Sequence, residues 1–363
     1  MRRLVMAGVG PAQLLLLEGL AAGRVKASDP LLISAAPTWA FDAMLPGWLA
    51  GRHDEMAMSL DLRRVAERAG CRYVEGGITR IDTANRRIEL ADGQKETWET
   101  LSLSRNSIPC DTRMPGAAEF ALPIHPMARA RDILPAIERA QQSFEQREMR
   151  IAVIGASGLG FETACALRAR LNREGKSATI MLVEGEAHLL PDWPPGARAL
   201  AARVLRRLNI ASALGARVTD LSRRGLRLNS GAIIPADVVI WTIGTAPLPA
   251  LTDSGLTLDE RGFVQVDETL RSVSHPDVFV AGESVDTGPA LTDNVAAFCG
   301  AAAAPKFRRY QPPSRPRALL DCSDGSALLG YGSIARDGHL AMRLKERLDR
   351  RFMSRVQRLA GAT

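Results

Sequence analysis

Paired cysteines, long apolar runs, low-complexity stretches and aromatic platforms are all missing from this chain of 363 residues. Its five cysteines, Cys71, Cys110, Cys165, Cys299 and Cys322, form no C-x-x-C or C-x-x-x-x-C pair, which excludes a local dithiol centre or a paired-cysteine zinc site; no metal site is expected. An odd, scattered set suits a reducing compartment. No uninterrupted apolar run approaches the roughly 18 residues of a transmembrane helix. Met1-Arg2-Arg3 and the apolar stretch behind it imitate a secretory signal, but Glu18 interrupts the stretch and no cleavage site follows. The expected location is therefore cytoplasmic, with the inner face of the membrane as a candidate for peripheral contact. The net charge of +7, from 47 basic and 40 acidic residues, reads as an arginine-rich surface. No aromatic platform or motif accompanies it, so nucleic acid is not an expected partner. With 46% hydrophobic and 24% charged residues, the chain is long enough for two domains with good cores.

The stretch 149–184 is the most informative. An apolar run, Ile151-Ala152-Val153-Ile154, is followed by the small-residue turn Gly155-Ala156-Ser157-Gly158-Leu159-Gly160, a helical pattern over 161–171, and a second apolar run, 179–183, ending on Glu184. Strand, glycine turn, helix and strand in this order make a dinucleotide-binding unit, because a pyrophosphate sits on the free N–H groups of the helix N-terminus. Gly155 allows the tight turn and Gly160 the close approach of helix and strand, while Ser157 stands at the middle glycine position. Glu184 is placed to accept from a ribose 2′-OH and to repel a 2′-phosphate, favouring NADH over NADPH.

The chain start repeats the pattern. A strand over 4–7 leads into Gly8-Val9-Gly10-Pro11-Ala12-Gln13, a helix over 14–22 and a strand over 31–34. Gln13 holds the third glycine position, and Ser34 stands where a ribose-binding carboxylate is usual. Short strands are expected over 71–74, 78–82, 87–90 and 97–103, with Ala91-Asp92-Gly93-Gln94 as a hairpin turn. Helices are expected over 61–69, 129–147 and 196–208.

In ordered sequence, the first glycine turn, Met44-Leu45-Pro46-Gly47, Leu101-Ser102-Leu103, the second turn with Glu162, Thr242-Ile243-Gly244, and the run 278–283 ending Gly282-Glu283 resemble the pyridine nucleotide-disulfide oxidoreductase superfamily. The chain is most similar to its FAD-dependent, NADH dehydrogenase-like branch without a redox disulfide. The resemblance implies an α/β fold of two Rossmann-like dinucleotide-binding domains, glutathione-reductase-like, the second inserted in the first. The implied division is 1–112 with 248–310 for FAD, 113–247 for NAD(P)H, and 311–363 as a C-terminal segment. The implied cofactor-binding residues are Gly8, Gly10, Pro11, Ala12, Gln13, Ser34, Gly155, Ser157, Gly160, Glu184, Gly244, Gly282 and Glu283. Glu162 is the implied catalytic residue, near the flavin–nicotinamide contact. The chain departs from the family pattern at Gln13, Ser34, Arg105-Asn106, Glu283 and Cys299. His125 stands where relatives carry lysine, and Cys299 with Cys110 is the pair that sulfide-oxidising chemistry would need.

In the tail, Leu340, Leu344, Leu348, Phe352, Val356 and Leu359 recur at helical spacing amid Arg343, Lys345, Arg347, Arg350, Arg351, Arg355 and Arg358. Such a helix suits an anionic membrane surface, the flavin domain or a second subunit as in a homodimer. Two function classes stay open: an FAD-dependent oxidoreductase passing electrons from NADH to a quinone-like or other small acceptor, and a non-catalytic scaffold that keeps the fold with weakened flavin binding.

Overall fold

A computed structural model describes residues 1–104, 107–109, 114–143, 147–243, 245–282, 285–300, 305–312, 317–332 and 334–361. Two five-stranded sheets dominate it. The first runs in the order Val278–Ala281, Thr100–Ser104, Arg3–Ala7, Ser28–Ser34, Arg72–Glu75, every neighbouring pair parallel. The second runs Ala121–Pro123, Val238–Trp241, Met149–Ile154, Ala178–Val183, Ala211–Ala213, again all parallel. The chain leaves the first sheet, completes the second, and returns to the first with Val278–Ala281. This is the two-sheet α/β fold that the family resemblance implies.

The strand sequences explain the layering. Strands buried on both faces read as unbroken apolar runs, and alternate residues sort to opposite faces. Leu4 and Met6 face the helical layer, whereas Val5 and Ala7 face Ile81, Ile88 and Trp98 of an antiparallel meander. Ile151 and Val153 join the same core as Leu4 and Met6; Ala152 and Ile154 point the other way. The helix Pro11–Ala21 carries Leu14, Leu15, Leu16 and Leu17, all buried. A helix apolar all round must be covered all round, and the sheet, the helix Gly288–Cys299 and the tail helix share that task. One continuous core thus joins both sheets. Across it, Arg173 Nη1 donates to the Ala50 and Gly51 carbonyls at 2.7 and 2.8 Å, beyond the end of the short helix Leu45–Leu49.

Three expectations need correction. The strand expected over 97–103 is two: Lys95–Thr97 closes the meander, and Thr100–Ser104 enters the parallel sheet. The helix expected over 129–147 is Met127–Ala130 and Ile133–Ser143 in its described part. The tail is one helix, His339–Leu359, but its leucines do not form one stripe with Phe352 and Val356. The docked face is Met342, Lys345, Phe352, Met353 and Val356, all buried, while Leu340, Leu344 and Leu348 are 78%, 41% and 49% exposed. Phe352 lies 4.8 Å from the Phe41 ring and 6.4 Å from Trp39. At 100° per residue the centres of the two sets lie about 130° apart around the helix, which spacing read as a single stripe conceals.

The segment before the tail also forms an antiparallel sheet, Arg317–Asp321, Ala327–Tyr331 and Ile334–Gly338, which the sequence reading did not anticipate. Because Phe352 fills an aromatic core position, Phe352→Ala is expected to cost about 3 kcal/mol of stability. Urea denaturation followed by circular dichroism checks this; a loss under about 1 kcal/mol would show that the tail is not part of the core.

Candidate functional site

In a doubly wound sheet, ligands bind beyond the carboxyl ends of the strands where strand order reverses. In the first sheet that crevice lies between Arg3–Ala7 and Thr100–Ser104; in the second, between Met149–Ile154 and Val238–Trp241. Both glycine turns sit at these points.

At the first turn, Gly8 takes φ 83° and its N–H donates to the Ile33 carbonyl at 2.8 Å. Gly10 is extended at the head of Pro11–Ala21, whose N-terminus has no side-chain cap. Pro11 at the first helical position loses no hydrogen bond there, and Ala12 packs in the core. A Cβ on Gly10 would lie 3.1 Å from Ser104 Oγ and 3.3 Å from Gln13 Oε1. Gln13 is fully buried: its Nε2 donates to the Leu103 carbonyl at 3.2 Å, and its Oε1 has no partner. Ser102 Oγ, on the same strand as Leu103, is likewise unpartnered.

These residues fit the diphosphate end of an adenine dinucleotide, with uncapped helix N–H groups beside an open glycine. The orphaned Gln13 oxygen suits a hydroxyl donor rather than a phosphate oxygen. Ser34 Oγ accepts from Ala36 N and brings no charge to a ribose. Gly282 follows the strand Val278–Ala281 at the same end of the sheet; Glu283, Gly244, Arg105, Asn106 and Cys110 lie outside the described residues.

At the second turn, Gly155 takes φ 102°, and a Cβ on Gly160 would lie 1.8 Å from the Gly155 carbonyl oxygen, so only glycine fits there. Thr242 Oγ1 donates to the Ile154 and Gly155 carbonyls at 2.8 and 3.1 Å, bracing the turn from the neighbouring strand. Ser157 caps the helix Gly158–Arg173 in position only, without a side-chain hydrogen bond. The Glu184 carboxylate reaches over the turn: Oε2 accepts from Ala156 N at 2.6 Å and Oε1 from Glu186 N at 3.0 Å. The end of the second strand and the glycine turn are therefore within one side chain of each other.

Glu162, on the second turn's helix, is 8% exposed. Its Oε1 accepts from Asp321 N at 2.7 Å, at the end of the strand Arg317–Asp321. Burial pushes its carboxyl up to about 7, against Lys345 and the Asp321 N–H, which favour the anion. Lys345 is itself buried in the tail helix, donating to the Ala43 carbonyl at 2.7 Å and to Asp349 Oδ2 at 2.9 Å. Burial opposes its charge, yet Glu162 and Asp349 outweigh that and hold its pKa above the ordinary value. Asp321 pairs with Arg52. Burial and the Arg52 charge lower the His53 pKa. Glu162 was legible from the sequence. Asp321, Lys345 and Arg52 were missed as a group, because only the fold brings three distant segments together.

His125 Nδ1 lies 3.0 Å from Asp42 Oδ2. Cys299 is fully buried, with its thiol 3.6 Å from Thr100 Oγ1. The other described thiols are buried too, and burial pushes Cys71 and Cys322 up to about 12. A thiol at such a pKa is not a nucleophile at neutral pH. Among the described residues there is no metal-binding cluster and no helix long and apolar enough to cross a membrane.

A profile of the pyridine nucleotide-disulphide oxidoreductase family matches residues 2–297. An NADH dehydrogenase-like protein of Mycobacterium tuberculosis is 27% identical over 243 residues, covering 63% of this chain and 59% of that protein. An alternative NAD(P)H-ubiquinone oxidoreductase of Arabidopsis thaliana is 26% identical over 307 residues, covering 74% and 58%. The matches thus span about three fifths of these curated relatives. Among solved structures, the sulfide:quinone oxidoreductase of Aquifex aeolicus superposes with TM-score 0.82 at 14% identity, covering 99% of this chain and 92% of that one. NDH2 of Plasmodium falciparum in complex with NADH gives 0.81 at 12% identity, covering 98% and 97%. At such identities the structural likeness shows the fold.

Glu162 carries a pH test. Folded, it keeps its proton up to about pH 7; its ordinary value is 4.5. A raised carboxyl contributes stability that is complete below about pH 4.5 and lost as pH rises through about 7. Glu162→Gln retains an acceptor for Asp321 N–H without a charge. The variant is expected to gain on the wild type between pH 5 and pH 8, by at most about 1.4 kcal/mol per pH unit. Urea midpoints measured across that range check it, and parallel curves for the two proteins would contradict it.

Proposed function

The chain belongs to the pyridine nucleotide-disulphide oxidoreductase family, and from that premise we propose that it is an FAD-dependent NADH oxidoreductase delivering electrons to a quinone-like small acceptor. The observation that carries this reading is the pair of glycine turns, one at each switch point, joined by a single core. Relatives named as NAD(P)H-ubiquinone and NADH:quinone oxidoreductases support the acceptor class. The buried, high-pKa thiols favour a reaction without a cysteine relay.

On this reading residues 1–112 and 248–310 hold FAD, with Gly8, Gly10, Pro11 and Ala12 at the diphosphate, Gln13 offering its free oxygen to a ligand hydroxyl, Ser34 beside the ribose, and Gly282 with Glu283 towards the ribityl chain. Residues 113–247 hold NADH through Gly155, Ser157, Gly160 and Gly244, with Glu184 on the ribose. Bound FAD supplies hydride acceptance and the release of electrons to an acceptor. The protein's own part is positioning and charge. Glu184 accepts from ribose hydroxyls and repels a 2′-phosphate. Glu162, near half-protonated at neutral pH, holds or releases a proton at Oε2, since Oε1 is committed to Asp321 N–H. Lys345 stabilises the anion when the proton leaves.

The outward face of the tail fits a peripheral membrane contact: Leu340, Leu344 and Leu348 stand exposed beside Arg343, Arg347 and Arg351, which make no ion pair among the described residues. Each such cation contributes about 1 kcal/mol at an anionic surface.

Purified protein is expected to show flavin absorbance and to release FAD on heating; colourless protein after refolding with excess FAD would sink the proposal. Glu184→Ala should narrow the preference for NADH over NADPH by about tenfold, ~1.4 kcal/mol, in steady-state kinetics with a soluble dye; a wild type that prefers NADPH would show that Glu184 does not meet the ribose. Flotation with anionic liposomes at low salt should carry the wild type but not Leu344→Ser/Leu348→Ser, and a wild type that stays at the bottom removes the membrane contact.

A further inference from the structure

A cavity of the described structure lies in neither crevice. It is an open groove of about 970 Å³ between the helix Pro195–Arg207 and the strand Ile334–Gly338. We propose that this groove binds a fatty-acid-like anion, one carboxylate on a flexible apolar chain.

Both walls supply both halves of such a ligand. The helix contributes Leu200, Arg203 and Arg206; the strand contributes Ile334, Ala335 and Arg336. The one carboxylate in the lining, Asp337, is already committed, 3.6 Å from Arg207 and 3.8 Å from Arg203. Arg206 and Arg336 make no ion pair among the described residues, so the groove keeps two unmatched guanidiniums over an apolar floor. A guanidinium fork fits a carboxylate in bidentate fashion. The volume is that of a small-molecule site rather than of a bare ion. No aromatic side chain lines the groove, which disfavours a nucleobase, since bases bind by stacking. Ile334 is 54% exposed, an apolar surface that an alkyl chain would cover. The groove also joins the nicotinamide-side sheet to the C-terminal sheet whose Asp321 holds Glu162, so an occupant would brace that junction.

Isothermal titration of the full chain with laurate, kept below its micelle concentration, tests the proposal. One laurate per chain is expected, no binding of acetate, and at least tenfold weaker binding by Arg206→Gln/Arg336→Gln. Both arginines are exposed, and an unchanged melting temperature of the variant confirms that it is folded. Absence of laurate binding, equal binding by the variant, or equally tight binding of dodecyltrimethylammonium would each overturn the proposal. Tighter binding of monomeric dihexanoyl phosphatidylglycerol than of laurate would also overturn it, by making the groove a phospholipid site.

Discussion

A carboxylate that folding removes from water must be matched by something, and in this protein the match is assembled from three distant segments. Glu162 rises from the second glycine turn, the N–H of Asp321 arrives from the C-terminal sheet, and the Lys345 charge arrives from the tail helix. A lone ionised carboxylate in that position would carry a desolvation cost of several kcal/mol. The C-terminal segment is therefore bound to the helix Gly158–Arg173 by more than apolar area. The same logic extends outward: Asp321 is matched by Arg52, and Lys345 by Asp349 and the Ala43 carbonyl. Arg52 and Ala43 flank the helix Leu45–Leu49, which lies in the continuous core and packs against the helix Gly158–Arg173. The charge network thus closes the same junction that the continuous core closes with leucine and phenylalanine.

This explains which parts were readable in advance. A glycine turn is a local requirement. Gly160 cannot be replaced because its own turn's carbonyl is 1.8 Å from where a Cβ would lie, so the constraint is written within six residues. The doubly buried strands are equally local, since Val5 and Met6 can both be apolar only if both faces are covered. The tail was half readable. Spacing shows that a helix forms, but an amphipathic pattern with apolar residues on two sides does not say which side docks. Phe41 and Trp39 decide that, and they lie some three hundred residues away in sequence. The C-terminal sheet was missed because Arg317–Asp321 and Ile334–Gly338 mix charge with apolar residues in short runs. Lys345 was read only as one of the cations flanking the tail's apolar residues. No spacing rule marks a lysine whose partners sit on other elements.

The two crevices differ in how much of the family pattern their side chains retain. At the second, Gly155, Gly160 and Glu184 stand in their places and the carboxylate already lies on the turn. At the first, the backbone keeps the turn while the side chains change: Gln13 replaces a hydrogen atom with a buried amide, and Ser34 replaces a charge with a hydroxyl. Gln13 is satisfied at its nitrogen by the Leu103 carbonyl and unsatisfied at its oxygen. A buried amide oxygen without a partner costs about 1–3 kcal/mol. A ligand hydroxyl that meets it would recover part of that cost on binding, whereas a glycine at that position would leave none to recover. The loss of the ribose carboxylate acts in the opposite direction. On the proposed reading, the affinity of the first crevice for a dinucleotide is set by a balance between one buried acceptor and one missing charge, with the helix N-terminus common to both. The side-chain departures therefore gather at the first turn, whereas the second keeps its outer glycines and is braced by Thr242 and Glu184.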